Sequence, residues 1–273
     1  MTTDSTEPRV PDLETLLGLD APSSFSIPTS VWGYGGLHGG LAMSVAAAAA
    51  QRALPGYVLR SVTGQLYRPI RESFALDVRR THAGRRVAMF EATITDRARP
   101  CATITSILGT SAGLAAVGDQ TRNRAPIPPT VHPPFDHAEK HWTIPVAVLQ
   151  DVEVRLVDTA AADSPDDRSS LMAWVRLKAQ SAPPSVASLA FFLDVLPPSH
   201  TAFMERGTPV PTVEFSAHFA GPAPATEWVL VRARSTREVD DGWGSETIDI
   251  WDELGTHLAS ARQLRLPVPG AAP

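Results

Sequence analysis

The sequence predicts an α+β protein made of two tandem copies of one unit, in which a buried helix precedes an antiparallel sheet. Three observations lead to this prediction. A strongly apolar stretch follows a glycine-rich turn, four alternating β-favouring segments come after it, and the same order of elements returns after a Pro-rich interruption. We place the first unit at residues 22–110, a connecting segment at 111–150 and the second unit at 151–267.

The first unit opens with the string GYGGLHGG from Gly33, which runs into LAMSVAAAAAQRAL and ends at Leu54. This stretch is apolar on nearly every side, so a helix formed here has to be buried all round. Pro55 and Gly56 then predict a turn. Four strands of alternating polarity are predicted to follow, beginning at Val58, Phe74, Arg86 and Cys101.

Residues from about 110 to 141 are rich in Pro, Gly and polar side chains and lack sustained periodicity, which is typical of a connection. The second unit is predicted to begin with strands around residues 152–156 and 170–179, followed by a short apolar helix over residues 185–196. Four more strands carry the strings TVEFSAHF, EWVLVRARST, GSETIDIWD and HLASARQLRL. The order of elements therefore repeats.

The two copies also align at the level of single residues. Placing Asp96 on Asp252 matches the hairpin DRARPCATITSILG to DELGTHLASARQLRL and puts Gln263 opposite Ile107. In this register one copy has an amide where the other has a core aliphatic residue. Burying an amide without partners costs about 1 to 3 kcal/mol, so an inward-facing Gln263 would need a function or a good partner.

Composition excludes several classes of protein. The 24 basic and 29 acidic residues give a net charge of −5, which argues against nucleic-acid binding and against attachment to anionic lipid. A single cysteine, Cys101, excludes an intrachain disulfide framework and fits a reducing compartment. The acidic N-terminus does not look like a signal peptide, and no apolar run reaches membrane-spanning length. We therefore expect a cytoplasmic protein that does not insert into the membrane.

Several strings occur together in an order and spacing that can be compared with known families. They are GGLHGGLAMSVAAAA, LRSVTGQLYRPI, FFLDVLPP, PVPTVEFSAHFAGP and ELGTHLASARQLRL, and they extend over roughly residues 25–267. Taken together they resemble the acyl-CoA thioesterase II family. The resemblance implies a double hotdog, in which two helices are each wrapped by an antiparallel sheet and the sheets join side by side.

The resemblance further implies hydrolysis of fatty acyl-CoA where the two halves meet. The family uses an Asp from the second helix, a Thr or Ser at the start of the following strand, and a Gln near the end of the last strand. Asp194 in FFLDVL, Thr212 in VPTVEF and Gln263 in ARQLRL match these positions, and each has the expected residue type.

The three matched residues could activate a water molecule. Asp194 would accept the proton as a general base, while the Thr212 hydroxyl and the Gln263 amide hold the water oxygen in line with the thioester carbon. Considered singly, Asp194 could face solvent or cap the turn at Pro197, Thr212 could be an ordinary strand residue, and Gln263 could be exposed. Only the resemblance joins them into one catalytic site.

His38, Gly39 and Gly40 lie where the first helix is predicted to begin. A backbone N–H there, aided by the helix N-terminus, could bind the substrate carbonyl as it becomes an oxyanion. These residues belong to the half that lacks the Asp, as a composite site built from both halves would require. Alternatively, the glycines only allow a tight turn and His38 caps it.

Other chemistries match the sequence less well. No G-x-S-x-G string is present, which argues against an α/β-hydrolase. His132, His137 and His141 lie in the connecting segment without a matching set of ligands, so we predict no metal. A hotdog hydratase acting on enoyl-CoA would resemble D-x-N-P-x-H, whereas Asp194-Val-Leu-Pro-Pro-Ser-His200 has Leu for Asn and one residue too many.

Arginines of the first half could contact the phosphates of CoA, although solvated charges at strand edges would explain them equally well. They are Arg60, Arg68, Arg79, Arg80, Arg85 and Arg86.

The sequence thus predicts a double-hotdog hydrolase that cleaves acyl-CoA to free fatty acid and CoA without a cofactor. A non-catalytic acyl-CoA-binding or lipid-binding hotdog protein is the first alternative, and an enoyl-CoA hydratase-like enzyme is the second. Exposed sheet edges would also favour assembly into a homo-oligomer.

Overall fold

The computed structural model describes residues 11–110, 129–131, 146–157, 170–179, 182–199, 209–220, 223–236 and 243–268. Strands of the first half are β1 (Ser24–Ser26), β2 (Val58–Leu66), β3 (Ser73–Ala83), β4 (Val87–Asp96) and β5 (Arg99–Gly109). Strands of the second half are β6 (Val152–Leu156), β7 (Ser170–Leu177), β8 (Thr212–Phe219), β9 (Val229–Thr236), β10 (Gly244–Asp252) and β11 (His257–Arg265). The helices are α1 (Leu13–Leu17), α2 (Gly39–Ala53) and α3 (Leu189–Phe192), with 3-10 turns at Thr29–Val31, Pro129–Val131 and Ala147–Asp151.

These strands form one antiparallel sheet in the order β1-β3-β4-β5-β2-β8-β11-β10-β9-β7-β6. The two halves meet where β2 pairs with β8. Read outward from that junction, the first half runs β2-β5-β4-β3-β1 and the second runs β8-β11-β10-β9-β7-β6. The halves therefore share one strand order, which confirms the predicted pair of tandem α+β units.

Helix α2 lies against the sheet, as its all-round apolar sequence predicts. Every side chain from Leu41 to Ala50 is buried, and most of them are alanines that let the helix approach the sheet closely. The approach is tightest at Gly64 of β2, where an added Cβ would stand 2.3 Å from the Sδ of Met43. The helix ends before Gly56, whose φ of +87° only glycine adopts readily.

The second helix is shorter than predicted. Regular α-helical structure covers only Leu189–Phe192, against a prediction of residues 185–196. The flanking turns bond three residues back, as in the bond from the Leu189 N–H to the Val186 carbonyl and that from the Asp194 N–H to the Phe191 carbonyl. Because Pro197 and its neighbour have no N–H to donate, the helix cannot continue beyond this point.

The structure corrects the predicted partner of Gln263 in the first half. Ile107 is 36% exposed and faces away from the helices, whereas Gln263 is 1% exposed and faces toward them. Inner-face pairs are Val62–Ser106 and Leu59–Leu108 in the first half, and Phe215–Gln263 and Thr212–Arg265 in the second. Ser106, one residue before Ile107, is therefore the counterpart of Gln263, and Leu108 is the counterpart of Arg265.

The main core lies between the helices and the inner face of the sheet. A smaller cluster on the outer face of the second half contains Trp174, Trp228, Leu230 and Trp251. No helix within the described residues is long and apolar enough to cross a membrane.

Candidate active site

The carboxylate of Asp194 lies where both halves of the protein meet, and it accepts hydrogen bonds from each of them. Its Oδ2 accepts the Gly40 N–H of α2 at 2.7 Å. Its Oδ1 accepts bonds from Gln263 Nε2 at 2.9 Å and from the Thr212 hydroxyl at 3.3 Å. Arg265 Nη2 also donates to Oδ1, at 3.2 Å. The three residues matched by sequence therefore converge on one carboxylate, which is 8% exposed.

Local sequence explains why these side chains meet. Alternation along β11 directs Ala261, Gln263 and Arg265 to the inner face, under the end of α3. Thr212 is the first residue of β8 and pairs directly with Arg265. The last turn around Asp194 places its carboxylate above this end of the sheet.

Gln263 lies behind Asp194 rather than beside an open space. Its Nε2 also donates to the Leu193 carbonyl at 3.3 Å, and the residue is 1% exposed. The Oε1 atom has no hydrogen-bond partner among the described residues. Direct contact between Gln263 and a reacting water therefore remains a prediction, whereas its contact with the carboxylate is part of the structure.

His38 occupies the N-cap position of α2, but its side chain makes no capping hydrogen bond. Its Nδ1 lies 3.8 Å from Asp194 Oδ2 and has no hydrogen-bond partner among the described residues. Burial lowers the pKa of His38, and Arg265 acts in the same direction, while the Asp194 carboxylate opposes both. The neutral imidazole is therefore favoured at this site.

Gly39 and Gly40 let the two helices come together at the carboxylate. A Cβ on Gly40 would stand 2.6 Å from the Asp194 Cβ and 2.9 Å from the Ala190 carbonyl oxygen. The Gly40 N–H already donates to Asp194, so it does not point freely toward a substrate. Gly39 borders a cavity next to Asp194, and its predicted contact with substrate is not tested by the structure.

A cavity of about 870 Å³ opens in front of Asp194 and Thr212. Its wall is mainly apolar, formed by the loop before α2, the end of β2 and short segments near residues 146–149, 194–197 and 209–213. Tyr67 and two arginines, Arg68 and Arg71, border it on the exposed side. The volume falls within the range of about 300 to 1,000 Å³ that is typical of ligand pockets.

Tyr34 also lines this cavity. It sits in a tight turn closed by a 2.7 Å bond from the Gly33 N–H to the Gly36 carbonyl, and the next residue, Gly35, has a φ of +73°. Burial raises the pKa of the Tyr34 phenol, with Asp194 adding to the effect and Arg265 opposing it. The phenol therefore keeps its proton and can serve as a hydrogen-bond donor.

Comparison with family models decides the family of the chain. Residues 28–109 match the model of the acyl-CoA thioesterase N-terminal domain, and residues 128–266 match that of the acyl-CoA thioesterase C-terminal domain. The chain belongs to the acyl-CoA thioesterase family. No match was found among curated proteins.

Similar solved structures confirm the hotdog fold of this thioesterase family member, and its own sheet of two joined halves is the double hotdog that the resemblance implied. A hotdog protein of unknown function from Alicyclobacillus acidocaldarius aligns with a TM-score of 0.75 and 20% identity, over 91% of this chain and 93% of that one. The acyl-CoA thioesterase II TesB2 from Mycobacterium marinum aligns with a TM-score of 0.71 and 18% identity, over 94% and 98% respectively. At these identities the likeness establishes the fold alone.

Two charged residues of the candidate site were not predicted. Arg265 is 3% exposed and contacts Asp194, and Glu246 of β10 is 1% exposed and lies across the strand from Gln263. Both could have been found from the same alternation that predicted the strands. Arg265 is two residues after Gln263, and Glu246 is two before the inward-facing Ile248, so each shares the inner face.

The predicted arginine cluster does not gather at the cavity beside Asp194. Arg68 borders it, but the β3–β4 hairpin that carries Arg85 and Arg86 lies near Tyr57, at the start of β2, whereas the cavity lies at the end of β2. The histidines considered as ligands or hydratase residues lie outside the described residues; they are His132, His137, His141 and His200. Within the described residues there is no group of three or more side chains suited to a metal.

Proposed function

We propose that this chain hydrolyses acyl-CoA thioesters to free acid and CoA, with Asp194 as the general base. Membership of the acyl-CoA thioesterase family supports the class of reaction. The observation that carries the assignment of the base is the buried carboxylate itself, which borders an apolar cavity and is fixed by donors from both halves. General bases need this combination of fixed orientation and access to the reacting atoms.

In the proposed reaction a water molecule in the cavity gives a proton to Asp194, and its oxygen attacks the thioester carbonyl carbon. The tetrahedral oxyanion then collapses, the C–S bond breaks, and the CoA thiolate takes the proton back from Asp194. The Thr212 hydroxyl donates to Asp194, so its oxygen can still accept the second proton of the water in a hydrogen bond. Gln263 fixes the carboxylate from behind.

The oxyanion needs hydrogen-bond donors that do not already donate to another group of the protein. Because the Gly40 N–H donates to Asp194, we assign the stabilisation of the oxyanion to the Gly39 N–H, with the neighbouring His38 and Tyr34 side chains as further candidates. Gly39 is the first residue of α2, where the helix dipole favours negative charge. Fixed donors of this kind, placed in a dry site, stabilise developing charge strongly.

The cavity also suits the two ends of an acyl-CoA. Its apolar wall can take the acyl chain by burying it away from water. On the exposed side, Arg68 donates to the Pro100 carbonyl and Arg71 to the Gly35 carbonyl through one nitrogen each. The described residues make no other hydrogen bond to these two guanidinium groups, so their remaining donors can meet phosphate oxygens, which Arg binds in a bidentate way.

The test is thiol release from acyl-CoA substrates of different chain lengths, compared between wild type and Asp194→Asn. We expect wild type to turn over at least one substrate and the variant to lose about 10²- to 10⁴-fold in kcat, as for removal of a general base. Asp249→Asn is the matched control, because Asp249 lies on the same sheet but bonds to Ser260 on the outer face. It should keep the wild-type rate.

Other outcomes would favour the alternatives. Wild type that binds acyl-CoA without releasing thiol would support a binding protein. Loss of the enoyl-CoA absorbance without thiol release would support a hydratase. Equal loss of rate in Asp194→Asn and Asp249→Asn, with equal loss of thermal stability, would remove Asp194 from the role of base.

A further inference from the structure

Behind the Asp194 carboxylate is a second, fully buried carboxylate, and Arg265 lies between the two. Arg265 Nη2 is 3.2 Å from Asp194 Oδ1, and Arg265 Nε is 3.2 Å from Glu246 Oε2. The first contact is a hydrogen bond, but the second is only an ion pair, because neither of its atoms finds a hydrogen-bond partner in the described residues. Arg265 therefore has two carboxyl neighbours, of which only Asp194 borders the cavity.

Glu246 is in turn fixed to the segment that follows Asp194. Its Oε1 accepts the backbone N–H of Ser199 at 2.7 Å, and the Ser199 hydroxyl lies 2.6 Å from that of Ser235. The chain between Asp194 and Ser199 is thus held at one end through Arg265 and at the other through Glu246. A movement of either charged side chain would be transmitted to the carboxylate.

Stability alone does not explain this arrangement. Removing three charged side chains from water is expensive, and a buried ion pair often contributes no more net stability than apolar residues of similar volume. The matching positions in the first half illustrate the apolar solution, since Leu108 occupies the place of Arg265 with 0% exposure. A gain in stability therefore does not account for the buried charged side chains Asp194, Glu246 and Arg265.

We propose that Arg265 and Glu246 are positioning residues that orient Asp194 and set the pH range over which it accepts a proton. Arg265 holds Oδ1 and stabilises the negative charge of Asp194. Glu246 lies against the same guanidinium and offsets part of its positive charge. The proposal rests on the proposed role of Asp194 as the base.

The other groups that face Asp194 do not supply this control. His38 and Tyr34 come from the loop before α2, and burial favours the neutral form of both. Thr212 from β8 and Gln263 from β11 are uncharged donors. Arg265 and Glu246 are therefore the charged side chains that act on Asp194 from the described elements around it.

The signature of the proposal is a pair of opposite shifts. Arg265→Met removes the positive charge next to Asp194, so the acid limb of the kcat/KM profile should move to higher pH. Glu246→Gln leaves Arg265 less neutralised, so the limb should move to lower pH, by a smaller amount. A purely structural role would lower the rate in both variants without moving the limb in opposite directions.

A second readout does not depend on turnover. The ¹³C titration of side-chain carboxyls, with the Asp194 signal identified by its loss in Asp194→Asn, should show the same opposite shifts. If Arg265→Met does not fold, Glu246→Gln decides alone, because glutamine has nearly the same shape and can still accept the Ser199 N–H. Glu153→Gln is the matched control. It weakens two Arg–Glu ion pairs, to Arg155 at 2.6 Å and to Arg176 at 2.8 Å, removes the same charge and should leave the titration of Asp194 unchanged.

The two proposals fail in different ways. Wild type that releases no thiol from any acyl-CoA overturns the proposed function, while the carboxyl titration still tests the roles of Arg265 and Glu246. An Asp194 titration that stays at the wild-type position in Glu246→Gln, or that moves equally in Glu153→Gln, overturns those roles even if hydrolysis is confirmed.

Discussion

Replacement of Gly40 by alanine tests the contact that brings the two halves together at Asp194. The added Cβ would lie 2.6 Å from the Asp194 Cβ, 2.9 Å from the Ala190 carbonyl oxygen and 3.1 Å from the Phe191 Cα. None of these atoms is the far end of a flexible side chain. Relief therefore requires the backbone of α3 to move away from α2, and Asp194 moves with it.

The magnitude follows from three contributions. Overpacking of a tight interior costs about 1 to 3 kcal/mol. Loss of the bond from the Gly40 N–H to the carboxylate adds about 1.5 to 3 kcal/mol. The higher helix propensity of alanine returns at most about 1 kcal/mol. We expect Gly40→Ala to lower the free energy of unfolding by about 1.5 to 6 kcal/mol. We also expect it to reduce kcat on the order of 10²-fold, as misplacing a catalytic group by about 1 Å does.

Urea unfolding followed by tryptophan fluorescence and thiol-release kinetics measure the two effects. Gly109→Ala is the matched control, because its nearest neighbour is the flexible Arg60 side chain, with Cγ at 3.3 Å. It should change the free energy of unfolding by no more than about 1 kcal/mol. If Gly40→Ala were as stable and as active as Gly109→Ala, the close approach of α2 to Asp194 would be refuted.

Three further predictions address the cavity mouth, the repeat and the buried histidine. Replacing Arg68 and Arg71 together by alanine should raise KM for acyl-CoA while leaving KM for the corresponding acyl-pantetheine unchanged, because only CoA has the nucleotide phosphates; equal rises would contradict a phosphate contact. Ile107→Thr should change the free energy of unfolding by no more than about 0.5 kcal/mol, because the side chain is exposed; a larger loss by urea unfolding would restore Ile107 to the core. His38→Gln should reduce the loss of thermal stability between pH 7.5 and pH 5.5. These two pH values lie on opposite sides of the ordinary histidine pKa of about 6.5. Burial lowers the pKa of His38 in the folded protein, so the unfolded chain binds the proton first and wild type is destabilised as the pH falls through that value. An identical pH dependence in both proteins would show that His38 is not held neutral.

Most of the fold could be predicted because alternation and turn residues mark the long strands clearly. Elements that were missed are short: β1 has three residues and α1 has five, too few for a periodic pattern. The second helix was predicted too long because apolar residues continue on both sides of Leu189–Phe192. Apolar sequence alone does not distinguish a helix from the tight turns that occur there.

The alignment of the two copies failed by one residue for a local reason. Asp96 of β4 pairs with Arg99 of β5 across a turn of two residues, whereas the Asp252 N–H of β10 donates to the Thr256 carbonyl across a turn of three residues. An alignment without a gap that starts at Asp96 and Asp252 therefore loses register before it reaches Gln263. A shift of one residue along a strand exchanges the two faces of the sheet, which is why Ile107 appeared in place of Ser106.

At the candidate site, the resemblance rather than periodicity brought Asp194, Thr212 and Gln263 together. The structure joins them through hydrogen bonds to one carboxylate, and their catalytic roles remain proposals. Arg265 and Glu246 were not predicted as site residues because charged residues in a strand usually lie on the solvent face. Their positions in the alternation nevertheless place both side chains on the inner face of the sheet.

The covalent link between the halves relaxes a constraint that symmetry would impose. If two identical copies paired through β2 and its equivalent, every side chain at one end of the joint sheet would recur at the other end. A buried arginine or glutamine would then need hydrogen-bond partners at both ends of the sheet. In this chain the positions of Thr212, Gln263 and Arg265 are mirrored by Leu59, Ser106 and Leu108. Each end can therefore vary independently, so one keeps a demanding polar arrangement while the other evolves as ordinary apolar packing that secures the fold.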